Sequence, residues 1–297
     1  MDSEINKLSF SWWNTSLSPL AKSRSSEDDK KIAIAVIYRL LFELEIDFLA
    51  LGEISTEDIV LLQSLDEFSC FRIVSGVSKV DRITFDTCFI YRPDRIQMDE
   101  PIEIDTGKGG KKIKIAQKMV LKTETDDVLH VFVSHWPSRE YCPENHPNRH
   151  LLGMRLRDEA DDIYAKSQSE PYIIFLGDFN DEPFDSSLST QFMATRDKAL
   201  AIKKKRLLYN PFWQRLSYQN LEILDYAGTY FDKRSPLSKW RTFDQIIVSS
   251  TFLRSMAWYL NETSTGIINI PEYLTVVKNS KSIFDHLPIM ITFERNL

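Results

Sequence analysis

Residues 173–185 read IIFLGDFNDEPFD. An apolar run, Ile173 to Leu176, stops at Gly177, and Asp178, Asn180, Asp181, Glu182 and Asp185 then crowd into eight positions. The run predicts a buried strand over 171–178, rich in branched and aromatic residues. Asp178 and Asn180 therefore fall at a strand's C-terminal end. Two residues apart on a tight turn, a charged acceptor and an amide donor can be aimed at one point. Asp181, Glu182 and Asp185 read as the turn and the start of a following helix, not as catalytic groups.

The same address recurs along the chain. LSFSWWN, 8–14, is a predicted strand closing on Asn14, and DFLALGE, 47–53, closes on Glu53. VLHVFVSHW, 128–136, carries His135 near its end. Asp244 opens TFDQIIVS, 242–249, while Asp285 and His286 open HLPIMITFE, 286–294. Each residue alone has a bland explanation. Asn14 could cap a turn, His135 could be a hydrogen-bonded structural histidine, and Asp244 could be a strand-edge residue. Jointly, strands lying side by side would bring all of them to one rim.

Between these strands, Ser25–Ser26 followed by Glu27, Asp28 and Asp29 marks a helix start. Ile32, Val36, Leu40 and Leu44 continue it at helical spacing to about Glu45. Helices are also predicted over 56–65 and 148–165, and strands over 69–75, 83–91 and 111–123, with DTGKGG (105–110) as a hairpin loop. Residues 185–241 show no clear period, and 261–282 read as loop with a short helix. With no repeat and no linker, the expectation is a single α/β (α+β) domain spanning 1–297, its sheets covered by helices.

The chain has 297 residues and a net charge of −6. That balance argues against a broad grip on duplex phosphates by the protein's own cations, and leaves a small contact or one neutralised by metal. Cys70, Cys88 and Cys142 have no metal-ligand spacing and read as free thiols in a reducing compartment. No basic segment followed by an apolar core opens the sequence, and no apolar run approaches the ~20 residues of a membrane helix. The expected location is cytoplasmic, without membrane contact.

Carboxylates and carboxamides without sulfur suit Mg²⁺ or Mn²⁺ rather than zinc. A histidine beside a carboxylate can act as a general base or be held as an imidazolium. Together these residues point to metal-assisted attack of water on a phosphoester.

The blocks WWN (12–14), LALGE (49–53), VFVSHWPSR (131–139), IIFLGDFNDEP (173–183), KWRTFDQIIVS (239–249) and FDHLP (284–288), in this order, resemble the endonuclease/exonuclease/phosphatase superfamily. HWPSR followed by an arginine-bearing helix is similar to its bacterial nuclease-like members. The resemblance implies the DNase I-like fold, a four-layer sandwich of two packed mixed sheets flanked by helices. It implies Glu53 as main metal ligand with Asn14 beside it, and Asp285 near the same Mg²⁺ (or Mn²⁺). His286 would contact the scissile phosphate as general base, oriented by Asp244. Asp178 would position the nucleophilic water or a second metal, Asn180 would stabilise the developing charge, and His135 would stabilise the phosphate or protonate the leaving oxygen. Arg139 and Arg149 are candidate phosphate contacts, and Trp136 is placed with them on the substrate side.

The last block reads FDH where relatives have SDH, so Phe284 is expected to reshape the substrate entrance. The expected activity is a metal-dependent phosphodiester hydrolase, a nuclease with nucleic acid as partner and DNA favoured over RNA. Local basic runs (Lys108 to Lys114, Lys203 to Arg206) support this, as do the aromatics Tyr209, Phe212, Trp213, Tyr218, Tyr226, Tyr230 and Trp240, which could stack on bases. The acidic charge favours the alternative, a non-nucleic phosphohydrolase such as a sphingomyelinase-like enzyme or small-molecule phosphatase. A third reading, a binding module with a decayed site, is weakened because every matched position holds the expected residue type.

Overall fold

A computed structural model describes residues 7–216, 225–254 and 256–295. One sheet has six strands, in spatial order Trp258–Ile267, Ile289–Arg295, Lys7–Asn14, Phe48–Gly52, Thr87–Tyr91 and Arg72–Ser75. Lys7–Asn14 and Phe48–Gly52 are its parallel pair, and its other pairings are antiparallel. The second sheet runs Ala194–Thr195, Leu208–Tyr209, Asp244–Ser249, Tyr172–Asp178, Val128–His135, Lys111–Thr123 and Ile96–Met98, with Ile102–Lys108 also paired to Lys111–Thr123. Val128–His135 and Tyr172–Asp178 are parallel and in register, so His135 faces Asp178 across the ladder.

Side chains alternate across each strand, and here both faces are covered. Phe10, Trp12, Ala50, Val131, Ile174, Leu176 and Ile246 fill the core between the sheets. Trp13, Leu49 and Leu51 face outward under the helices Glu27–Tyr38 and Pro271–Lys278. Phe132, Ile173 and Phe175 pack beneath the helix Pro147–Lys166. The result is the expected four-layer sandwich. Ser26 caps the first long helix by accepting from Asp29 N, in a reciprocal capping box.

Two local expectations are corrected. The stretch 83–91 is not one strand. Ile83–Phe85 pairs with Ser78–Val80 in a separate hairpin, and Thr87–Tyr91 joins the six-stranded sheet, with Asp86 at the break. Residues 258–267, partly read as loop, form an edge strand. Its polar composition and an irregular register between Asn261 and Gly266 hide the alternation.

Candidate active site

The parallel register sets Asn14 beside Gly52, so Glu53 emerges next to Asn14. Asn14 Nδ2 lies 3.3 Å from Glu53 Oε1 and 3.3 Å from Asp178 Oδ2. Asn14 and Glu53 belong to the six-stranded side and Asp178 to the eight-stranded one, so one amide ties the two sheets at the rim. Trp12 Nε1 makes a second tie, donating to Asp244 Oδ1 at 2.7 Å.

Asp244 Oδ2 is 2.8 Å from His286 Nδ1. His286 therefore turns Nε2 toward Asp178 Oδ2, 3.8 Å away, and Asp285 Oδ1, 3.9 Å away. Burial alone would favour the neutral ring, but the Asp244 charge and hydrogen bond, with Asp178 and Asp285 behind them, push the His286 pKa up to about 10. Burial and the neighbouring Asp244 charge raise the Asp178 carboxyl in turn. Its Oδ1 accepts from Asn180 N at 2.8 Å. Asn180 Nδ2 donates to Trp136 O at 3.0 Å. A carboxamide has two such hydrogens, and only one is engaged among the described residues.

Asp285 Oδ1 accepts from Ser16 Oγ at 2.7 Å. Lys233 Nζ donates to Ser282 O and Phe284 O at 2.7 and 2.8 Å, which pins the segment carrying Asp285. His135 Nε2 lies 3.8 Å from Glu53 Oε1, and its Nδ1 lies 3.0 Å from Asp86 Oδ1. Lys114 Nζ reaches the same Asp86 oxygen at 2.9 Å. Burial opposes ionisation of Asp86, but the His135 and Lys114 charges win and hold its carboxyl well below the usual range. The Asp86 charge likewise overcomes burial and raises the His135 imidazole.

Asp86 is a site residue that the motifs do not mark, and Lys114 figures in them only as the end of a basic run. The available signal for Asp86 was a single charge inside ITFDTCFIY. Backbone conformation adds a second signature: Ser16, Glu53 and Asn180 hold left-handed φ values of 55°, 52° and 50°. A non-glycine residue there costs about 1–2 kcal/mol, and such conformations cluster where geometry matters for function.

Burial raises the Glu53 pKa; His135 opposes that, while Asp285 and Asp86 add to it. A dication would relieve this carboxylate crowding. Glu53, Asn14 and Asp285 offer oxygen donors only, a set that fits Mg²⁺ or Mn²⁺. The tightest cluster among the described residues is a different one: ligand atoms of Asp178, Asp244 and His286 lie within 4.8 Å of one another. Within it His286 Nδ1 is already bonded to Asp244 Oδ2, and a metal on that nitrogen would have to break the bond.

Two expected substrate contacts, Arg149 and Trp136, are corrected, and the third, Arg139, is half-buried. Arg149 is 1% exposed. Its guanidinium donates to Cys142 O, Phe179 O and Pro137 O and lies 3.4 Å from Asp181. Trp136 is also 1% exposed, with Nε1 on Ile115 O. Arg139 is engaged by Asn180 O at 2.9 Å and by Asp181, Asp185 and Glu144. Arg149 and Trp136 build the loop behind Asn180 rather than face a ligand, and Arg139 braces the same loop from a half-buried position. Phe284 is fully buried against Trp13 and Tyr273, so it leaves the entrance untouched. Two of the aromatics are core: Tyr209 and Phe212 are buried, whereas Trp213, Tyr226, Tyr230 and Trp240 are half-buried, and Tyr230 stacks on Phe243 and touches the His286 ring. Tyr218 lies outside the described residues.

A four-layer sandwich with carboxylates and histidines at one rim is the DNase I-like architecture. The family described as Endonuclease/Exonuclease/phosphatase family matches residues 33–288, and the chain belongs to it. No curated protein matches the chain. Among solved structures, Danio rerio TDP2 complexed with single strand DNA product superposes with a TM-score of 0.62 at 18% identity, covering 97% of this chain and 99% of that one. The human Nocturnin catalytic domain with bound sulfate gives 0.61 at 16% identity, covering 98% and 95%. A mannosyl-6-phosphatase of Bacteroides thetaiotaomicron gives 0.59 at 15%, covering 96% and 99%. At these identities the likeness is one of fold.

Proposed function

We propose that the protein is a cytoplasmic, single-domain, metal-dependent phosphodiester hydrolase that cuts nucleic acid, DNA in preference to RNA. The observation that carries this reading is the convergence of Asn14, Glu53, His135, Asp178 and the Asp244–His286 pair on one rim. Glu53, Asn14 and Asp285 would hold Mg²⁺ or Mn²⁺, which supplies positive charge to the phosphate when bound.

Asp244 fixes the ring of His286 and favours its charged form, so Nε2–H is presented to a phosphoryl oxygen. That assigns proton acceptance from the attacking water to Asp178, in place of the general-base role expected of His286. Asn180 and His135 meet the remaining phosphoryl oxygens, and Asp86 favours the charged form of His135 for that purpose. Donors fixed in advance around developing charge are worth about 2.7–4 kcal/mol each when removed. Among the described residues no helix is long and apolar enough to cross a membrane.

The test is cleavage of single-stranded DNA, duplex DNA and RNA by the wild type and by Glu53→Gln, with Mg²⁺, Mn²⁺ or chelator. Metal-restored cutting by the wild type alone supports the reading. Cutting that survives chelation, or that Glu53→Gln retains, removes it. The alternative is a small-molecule phosphatase, in keeping with the acidic net charge and the mannosyl-6-phosphatase neighbour. Release of phosphate from sugar phosphates, with every polynucleotide left intact, would establish it.

A further inference from the structure

The basic run at 105–114 has a definite place in the fold. Lys114 is joined through Asp86 to His135, so the hairpin made by Ile102–Lys108 and Lys111–Thr123 springs from the catalytic rim. Strands advance about 3.3 Å per residue, which carries the tip about 13 Å beyond Lys114. Residues 105–114 hold four lysines against one aspartate. The smaller hairpin, Ser78–Val80 with Ile83–Phe85, lies alongside: Lys112 Nζ is 3.1 Å from Asp105 and 3.9 Å from Asp81. Leu20 N donates to Asp86 Oδ2, which brings the loop bearing Lys22 and Arg24 to the same edge. Lys22, Arg24, Lys79, Arg82, Lys108 and Lys112 are all exposed.

A strip of cations on a protein of net charge −6 is a local departure from the whole. Its hairpin tips, SKVDRIT (78–84) and DTGKGGKK (105–112), carry no aromatic side chain. The chemistry suits successive phosphates rather than bases. A substrate with one phosphate would need only the rim. We propose that these two hairpins, with the loop at 16–24, form a track that holds the sugar-phosphate backbone of a polynucleotide leading away from the catalytic centre. The inference rests on the nuclease reading and extends it to substrate length.

The test is fluorescence anisotropy in chelator, in the Glu53→Gln background, with labelled single-stranded DNA of about 20 and about 4 nucleotides. The longer strand is expected to bind at least tenfold more tightly. The triple change Lys79→Glu, Arg82→Glu and Lys108→Glu should erase that advantage and flatten the salt slope by about 2, near 0.7 per phosphate contact for a single strand. The charge control is Lys203→Glu with Lys204→Glu, both exposed near the opposite end of the eight-stranded sheet. It should keep the length advantage. Circular dichroism and melting temperature confirm that each variant is folded.

Retention of the length advantage by the triple variant overturns the track, as does equal loss in the control or no affinity for either strand. Turnover separates the two ideas. Cleavage of short and long strands alike would keep the nuclease and remove the track. Tight, length-dependent binding with no polynucleotide cut by the wild type would remove the nuclease activity and keep the track.

Discussion

Asp86 Oδ1 lies 3.0 Å from His135 Nδ1, and the aspartate occupies the break between two strands of different sheets. His135 is delivered by one sheet, and the residue that fixes its ring stands at the start of an inner strand of the other. Neither position alone marks the pair.

Asp86→Asn should therefore lower the His135 pKa, read from its imidazole proton shifts in chelator. The His135 pKa is raised above 6.5 in the folded protein, so its contribution to stability is present below about pH 6.5 and is lost as pH rises through the folded value. The Asp86 pKa is depressed, so its contribution is present above about pH 3.8 and is lost as pH falls through the folded value. The melting-temperature gap between wild type and variant should be widest between about pH 4 and 6.5. A gap that does not vary with pH would dissolve the pair. Turnover should fall about 10- to 100-fold, as for a lost orienting partner.

Asp178→Asn keeps the shape of the side chain and removes its basicity. Turnover should drop by about 10²–10⁴, with the melting temperature held or raised, because burial disfavours the charged form. Steady-state rates beside calorimetry read both. A variant with near wild-type rates would show that Asp178 takes no proton.

Asn180 separates backbone from chemistry. Its φ of 50° suits glycine, so Asn180→Gly should cost under about 1 kcal/mol of stability while lowering turnover. Asn180→Ala, in the same left-handed position, should be less stable than the glycine variant. Denaturant unfolding of the two variants is the measurement, and the reverse order would contradict the conformational account.

Gly177 keeps two strands in contact just before Asp178. A Cβ there would sit 1.8 Å from Ser134 O, and φ is 150°. Gly177→Ala should push the strands apart, loosen the Trp136 N to Asp178 O bond of 2.9 Å, and lower the melting temperature by several degrees with loss of activity. Unchanged melting would mean that the strands have slack that these contacts do not show.

Arg149 distinguishes a buried scaffold from a phosphate clamp. Arg149→Met leaves Asp181 with only the half-buried Arg139 at the same 3.4 Å and strips three carbonyls of their donor, each such loss costing about 1–3 kcal/mol. The prediction is a large fall in stability, with KM for the folded fraction little changed. A raised KM with normal stability would restore the phosphate-contact role.

Much of the site was legible because strand ends are punctuated by abrupt polar residues. Asn14, Glu53, Asp178 and His286 each follow or open an apolar run, and the topology gathers them at one rim. The order of the six family-like blocks along this chain carried the four-layer fold. Other features depend on contacts between distant segments, which local pattern does not encode. Arg149 reads as a phosphate contact until three carbonyls from two loops, Pro137 and Cys142 on one and Phe179 on the other, close on it. Phe284 reads as a neighbour of the metal site, yet its side chain turns outward to Trp13. The strand 258–267 hides because an edge strand with a bulge needs no strict alternation.

The ties that Asn14 and Trp12 make across the two sheets give the site a mechanical meaning. Neither sheet holds a complete set of groups, so the chemistry depends on how one slab is docked on the other. A slip of an ångström along that seam would scatter the centre while every helix and strand survived. Catalysis should thus be the first property lost under mild denaturant, ahead of the circular dichroism signal, and the enzyme's rate would serve as a gauge of sheet alignment.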